Sequence, residues 1–133
     1  MVYGFSAAFA GTARVSSMAI TLRPSEALGL WHHVLTGLVL DGESDLTLRQ
    51  LTILMTIYLE PPPHTVRGLA ARLGVTKPVI TRALDTMGHR KLVTRRRDPQ
   101  DRRNVIIQRT VDGALFLERL GDRVVAEGRR LTL

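Results

Sequence analysis

The chain has no cysteine, only six aromatic residues of the Phe, Trp and Tyr type, and no long apolar run. Without cysteine there is no disulfide framework, no thiolate metal site and no thiol redox switch. No apolar stretch reaches the roughly 18 residues that a membrane span needs. No P-loop, no G-x-S-x-G and no H-E-x-x-H is present, and no paired carboxylates sit in a pocket-like context. An enzyme is therefore not expected, and no catalytic residue, cofactor or metal is assigned. His32 and His33 are adjacent, so on a helix they point about 100° apart and chelate one metal poorly. His64 and His89 lie far away in the chain.

What is present is an ordinary globular composition, 44% hydrophobic and 23% charged over 133 residues, which fits one domain with its own core. The N-terminal MVYGFSAAFAGTARVSS has a short apolar stretch with no basic segment before it, so it makes a poor signal peptide. Two readings stay open for it, a loosely ordered tail over residues 1–24 or a functional start at Met18.

The charge is unevenly placed. Residues 1–60 carry three basic and five acidic side chains, residues 64–110 carry twelve and three, and residues 111–133 carry four and four. The whole excess behind the net +7 thus lies in the middle of the chain. A generally basic protein spreads its charge, whereas a concentrated block points to a polyanion.

The periodicity predicts a helix over 25–40, with Ser25 as N-cap and an apolar surface wider than one face. A second helix is expected from Leu48 to Leu59, with Thr47 and Gln50 spaced as a capping box and Pro61-Pro62-Pro63 ending it. Next come two short helices. Thr65 caps the first, which turns Leu69, Ala70 and Leu73 inward, and Gly74 supplies the left-handed turn. Thr76 caps the second, Pro78 sits in its first turn, and Ile80, Leu84 and Met87 share the core face. This is helix-turn-helix spacing. Geometry then places Thr76, Lys77, Pro78, Thr81 and Arg82 outward, on the half of a recognition helix that meets base edges in the major groove.

Downstream, Leu92–Arg97 and Asn104–Arg109 read as two strands around TRRRDPQDRRN. Asp98-Pro99-Gln100-Asp101 has the composition of a type I turn. A hairpin with Arg95, Arg96, Arg97, Arg102 and Arg103 at its tip forms the wing of a winged helix, suited to the negative minor groove. Asp101 either holds Arg102 or Arg103 in place or serves turn chemistry alone, as Asp98 does. A last helix is expected over 111–130. The expected fold is mainly α with a small two-stranded β wing, residues 25–133 forming one winged helix-turn-helix domain with a DNA-binding core at 47–110.

The stretch LAARLGVTKPVITRALDTM followed by LVTRRRDPQDRRNVIIQRT resembles the MarR family of bacterial winged helix-turn-helix regulators, from about Leu48 to Gly113. Its most specific piece is Asp101-Arg102-Arg103 after Arg97-Asp98-Pro99, similar to the family's Asp-x-Arg wing pattern. The resemblance implies a homodimer with intertwined first and last helices, and double-stranded DNA as partner. It also implies transcriptional regulation, usually repression, often relieved by a small anionic or phenolic effector, in the bacterial cytoplasm at the nucleoid. Trp31, His32 and Tyr58 are the candidates to line an effector pocket.

Three positions depart from the pattern. Lys91 stands where glycine is usual before the wing, so either the helix ends differently or a non-glycine residue takes positive φ. Arg109 replaces a leucine before Thr110, and the chain ends at Leu133, giving a shorter C-terminal helical region. The competing reading is a winged helix whose charged face binds an acidic protein or RNA.

Overall fold

The computed structural model describes residues 21–42 and 45–131. Of the expected tail at 1–24, residues 1–20 lie outside them. In chain order the elements are α1 (Pro24–Asp41), α2 (Leu48–Leu59), β1 (His64–Thr65), α3 (Val66–Leu73), α4 (Lys77–His89), β2 (Val93–Arg97), β3 (Val105–Arg109) and α5 (Val111–Leu131).

α1 begins one residue before the expected start. Its N-cap is Arg23, and Pro24 occupies the first helical position, where its missing N–H removes no helical hydrogen bond. Arg23 closes on Glu26 at 2.6 Å, so Ser25 lies inside the helix. α1 packs lengthwise on α5. Among its residues only Val34 is fully buried. Gly37 allows that approach, because the Arg123 guanidinium, paired with Asp41, occupies the space a Cβ would take. His33 meets Glu127 across the same seam at 3.6 Å.

α2 starts with the expected reciprocal box: Gln50 N–H donates to Thr47 Oγ1 at 3.1 Å and Thr47 N–H to Gln50 Oε1 at 2.9 Å. Its Ile53, Leu54 and Ile57 pack into one core with Ile80, Leu84 and Met87 of α4 and with Leu69 of α3. Each fully buried Leu or Ile contributes about 1.5–3 kcal/mol, and truncating Leu84 to alanine costs about 2–5 kcal/mol. At the end of α3, Gly74 adopts φ 66° and turns the chain so that Val75 N–H donates to Ala70 carbonyl at 3.0 Å. The turn sets the angle between α3 and α4.

The sheet has three strands in the order β1-β3-β2, all antiparallel, not the two expected. The added strand is the pair His64–Thr65, opposite Ile107 and Ile106. Two residues that leave a proline run and enter a helix carry no alternation of their own; the pairing exists because β3 offers a free edge.

The hairpin tip also differs from the expected turn. The backbone turn is three residues later, with Asn104 N–H donating to Asp101 carbonyl at 2.9 Å. Asp98 and Asp101 each accept from the backbone two residues on, from Gln100 N–H at 2.9 Å and Arg103 N–H at 3.1 Å. Two successive Asx turns thus share the tip, since each aspartate competes for a nearby N–H before a four-residue turn closes around Pro99.

α4 ends through a non-glycine residue at positive φ. Lys91 sits at φ 59°, and Leu92 N–H donates back to Met87 carbonyl at 3.0 Å. Of the two alternatives open from the sequence, the structure takes the second.

Candidate nucleic-acid interface

On α4 the apolar residues Ile80, Ala83, Leu84 and Met87 are buried, which turns the opposite face outward. Thr76, Lys77, Pro78, Thr81 and Arg82 are all exposed on it. Thr76 occupies the N-cap position but makes no side-chain cap bond, contrary to the expected cap; its carbonyl alone accepts, from Val79 N–H at 3.1 Å. Its hydroxyl is thus not held by the helix. Arg82 lies along its own helix, its Nε donating weakly to Pro78 carbonyl at 3.4 Å.

The register of the wing separates its arginines. Val93, Arg95 and Arg97 lie opposite Arg109, Ile107 and Val105, on the face that carries the buried Val93 and Ile107. Thr94 and Arg96 take the other face, opposite Gln108 and Ile106. Arg95 accordingly turns toward α4 and pairs with Asp85 at 2.7 Å. Arg97 donates through Nη1 to Arg102 carbonyl at 2.8 Å and so braces the tip. Arg96 and Arg102 are exposed, and Arg103 projects into solvent with its Nε 3.5 Å from Asp101. Asp101 is half-buried and holds Arg103 through both its backbone and its side chain. Of the two roles open to Asp101, the structure combines turn closure with restraint of one arginine.

Tyr58 is placed differently from the expected pocket wall. It is 2% exposed, and its hydroxyl donates to Leu92 carbonyl at 2.7 Å while accepting from Thr110 N–H at 2.9 Å. Trp31 and His32 stand on the exposed side of α1, where His32 stacks on His33. Among the described residues no three His, Asp or Glu side chains gather as a metal site needs. No helix there is long and apolar enough to cross a membrane.

Sequence reasoning located Arg109 but not its task. Its side chain turns into the body, Nε donating to Ile57 carbonyl and Nη2 to Glu60 carbonyl, each at 2.9 Å. The partners are backbone atoms about fifty residues earlier, which no side-chain pattern announces.

The model of the MarR family matches residues 46–105, from the start of the capping box through the wing tip. The chain is 31% identical to CouR from Rhodococcus jostii RHA1, solved bound to p-coumaroyl-CoA, over 80% of this chain and 73% of that one (TM-score 0.57). The chain belongs to the MarR family. Similar folds of that kind include the transcriptional regulator Tm0710 from Thermotoga maritima, at 26% identity over 80% of this chain and 72% of that one, TM-score 0.67. A MarR-family regulator from Rhodococcus sp. RHA1 is 27% identical over 83% and 81%, TM-score 0.54. No curated protein matches the chain. As a MarR-family member the chain is a transcriptional regulator rather than an enzyme, and α3, α4 and the wing are its winged helix-turn-helix.

Proposed function

We propose that the chain works as a homodimeric, sequence-specific repressor on double-stranded DNA, with α4 in the major groove and the wing along the minor groove. One observation carries this reading. The Asp85–Arg95 pair fastens the wing to α4, and the exposed N-terminal half of that helix and the exposed arginines of the wing together offer one cationic surface. Arg82 is long enough for a bidentate contact to guanine, worth about 1–3 kcal/mol of discrimination. Thr76 and Lys77 sit where the helix dipole favours phosphate. Arg96, Arg102 and Arg103 supply charge that does not depend on sequence.

Dimerisation is supported by the apolar side of α1. Leu28, Trp31, Leu35 and Val39 recur at helical spacing and are 71%, 50%, 48% and 78% exposed. With α5 on its other side, α1 has a face that one chain leaves uncovered, and a second copy would bury it. Two α4 helices then read half-sites about 10 bp apart. A small-molecule effector, of the acyl-CoA kind found bound to CouR, would meet Trp31 and His32 between the dimer helices and the DNA-binding lobe. The regulator would act at the bacterial nucleoid.

Selection of bound duplexes from a random pool, with the mass of the complex measured in solution, tests this reading. A pseudo-palindrome bound by two chains is expected. A triple Arg→Ala change at 95–97 that left affinity untouched would sink the wing's part in it. Preference for RNA hairpins over duplex DNA in competition would favour the RNA-binding alternative.

A further inference from the structure

Both ends of the wing are fastened to the C-terminal end of α2. Leu92, just before β2, and Thr110, just after β3, share the Tyr58 hydroxyl, which donates to the first residue's carbonyl and accepts from the second's N–H. One residue earlier, Arg109 forks between two carbonyls of the same helix end, Ile57 and Glu60. Its guanidinium lies 5.8 Å from the centre of the Tyr58 ring. The two anchors therefore form one assembly, built on a tyrosine in α2 and an arginine in β3.

Satisfying polar atoms does not by itself account for that arginine. Glu60 carbonyl already accepts from His64 Nε2 at 3.0 Å, and Glu60's carboxylate is engaged separately by Arg72 at 2.8 Å. Burial at the root is supplied by Leu92, Val93 and Ile107. What the planar fork adds is direction: two donors fixed on two carbonyls resist rotation in a way an aliphatic side chain does not.

We propose that Tyr58 and Arg109 are positioning residues for DNA binding, setting the angle at which the wing leaves the body and so the reach of Arg96, Arg102 and Arg103. The inference rests on the DNA-binding reading above. The wing strands run five residues from this root, about 16 Å at the usual rise per residue. A tilt of about 10° at the root then moves the tip about 3 Å, one hydrogen-bond length. Tip arginines tolerate little of that if they are to stay on phosphates.

The test uses the full chain, a duplex recovered by selection, and the variants R109L, R109K, Y58F, R96A and R96A/R109L. R109L is expected to melt within about 4 °C of the parent. It should bind the duplex on the order of tenfold more weakly, with a salt slope shallower by about 0.9 for each phosphate contact given up. In the R96A background the same change should cost less than it does in the parent, because one of the contacts it serves is already gone. R109K, which keeps the charge and a donor, should recover part of the loss. A variant that melts lower yet binds as the parent does overturns the proposal, as do losses that multiply with R96A. Should R109L fail to fold, Y58F carries the same readings, since it removes one hydroxyl and leaves the fork. A parent chain with no preference for duplex DNA would sink the DNA-binding reading itself; a binding parent with unaffected variants sinks only this inference.

Discussion

Asp85 on α4 and Arg95 on β2 meet at 2.7 Å, the one ion pair recorded between the recognition helix and the wing among the described residues. The pair exists because strand alternation turns Arg95 to the inner face while Arg96 takes the outer one. The three consecutive arginines are therefore not equivalent. With Arg95 about a third exposed and Asp85 about half, the pair contributes about 0–1 kcal/mol to stability, and its value lies in alignment.

From this inequivalence follows an ordering of affinities. Arg96→Ala should weaken binding to all duplexes more than Arg95→Ala does, because Arg95 already has a partner within the chain. Asp85→Asn releases Arg95 and removes a negative charge from the surface, so it should steepen the salt slope by up to about 0.9 and raise non-specific affinity. Anisotropy titrations at several salt concentrations read both effects. Equal losses for the two arginine variants would contradict the register.

Gly113 is required by packing. A Cβ there would collide with the Tyr58 hydroxyl and the Leu92 carbonyl oxygen, the two atoms that hold the root of the wing. Neither can give way cheaply, one being backbone and the other bonded to it. Gly113→Ala should therefore lower stability by about 1–3 kcal/mol, seen as a lower urea midpoint with an unchanged m-value. Gly37→Ala makes the control. Its clash is with the end of the flexible Arg123 side chain, so its cost should stay below about 1 kcal/mol.

Burial raises the Tyr58 phenol above its ordinary value of 10.0, an effect that its bonds to Thr110 and the nearby charge of Arg109 only partly offset. In the unfolded chain the phenol ionises near its ordinary value, while in the folded chain it keeps its proton to higher pH. The folded state then binds more protons, and stability falls as pH rises. Tyr58's contribution is complete below 10.0 and is lost from there through the raised folded value. The stability difference between the parent and Tyr58→Phe should hold steady from about pH 8 to about pH 9.5 and shrink by about pH 11. Urea midpoints for both proteins across that range provide the check, and parallel curves would refute it.

Local chemistry was the part of this molecule that sequence could carry. The Thr47–Gln50 box, Gly74 at its turn, Thr65 as a cap and the core stripe of α4 each need only neighbours a few residues apart. Elements defined by distant partners were not legible. β1 is a strand only because Ile106 and Ile107 lie beside it. Tyr58 and Arg109 find their partners across gaps of 34 to 52 residues, and most of those partners are backbone atoms. Aspartate-rich tips fail for another reason: Asp98 and Asp101 both compete for nearby N–H groups, and composition alone does not rank the competing turns.

Lys91 offers a test that separates backbone strain from charge. It holds φ 59° at the end of α4, where its N–H donates to Gly88 carbonyl at 3.0 Å and the next N–H reaches Met87. A left-handed conformation costs a side-chain-bearing residue about 1–2 kcal/mol. Glycine adopts it freely but loses more entropy on folding. Lys91→Gly should therefore raise stability by about 0.5–1 kcal/mol, while Lys91→Val should lower it, since a β-branched side chain tolerates positive φ least. Both variants remove the same charge. A shift of equal sign and size in their unfolding midpoints would mean that charge, not conformation, governs this position; opposite signs would establish that the bond from Leu92 N–H to Met87 carbonyl persists at the expense of strain in Lys91.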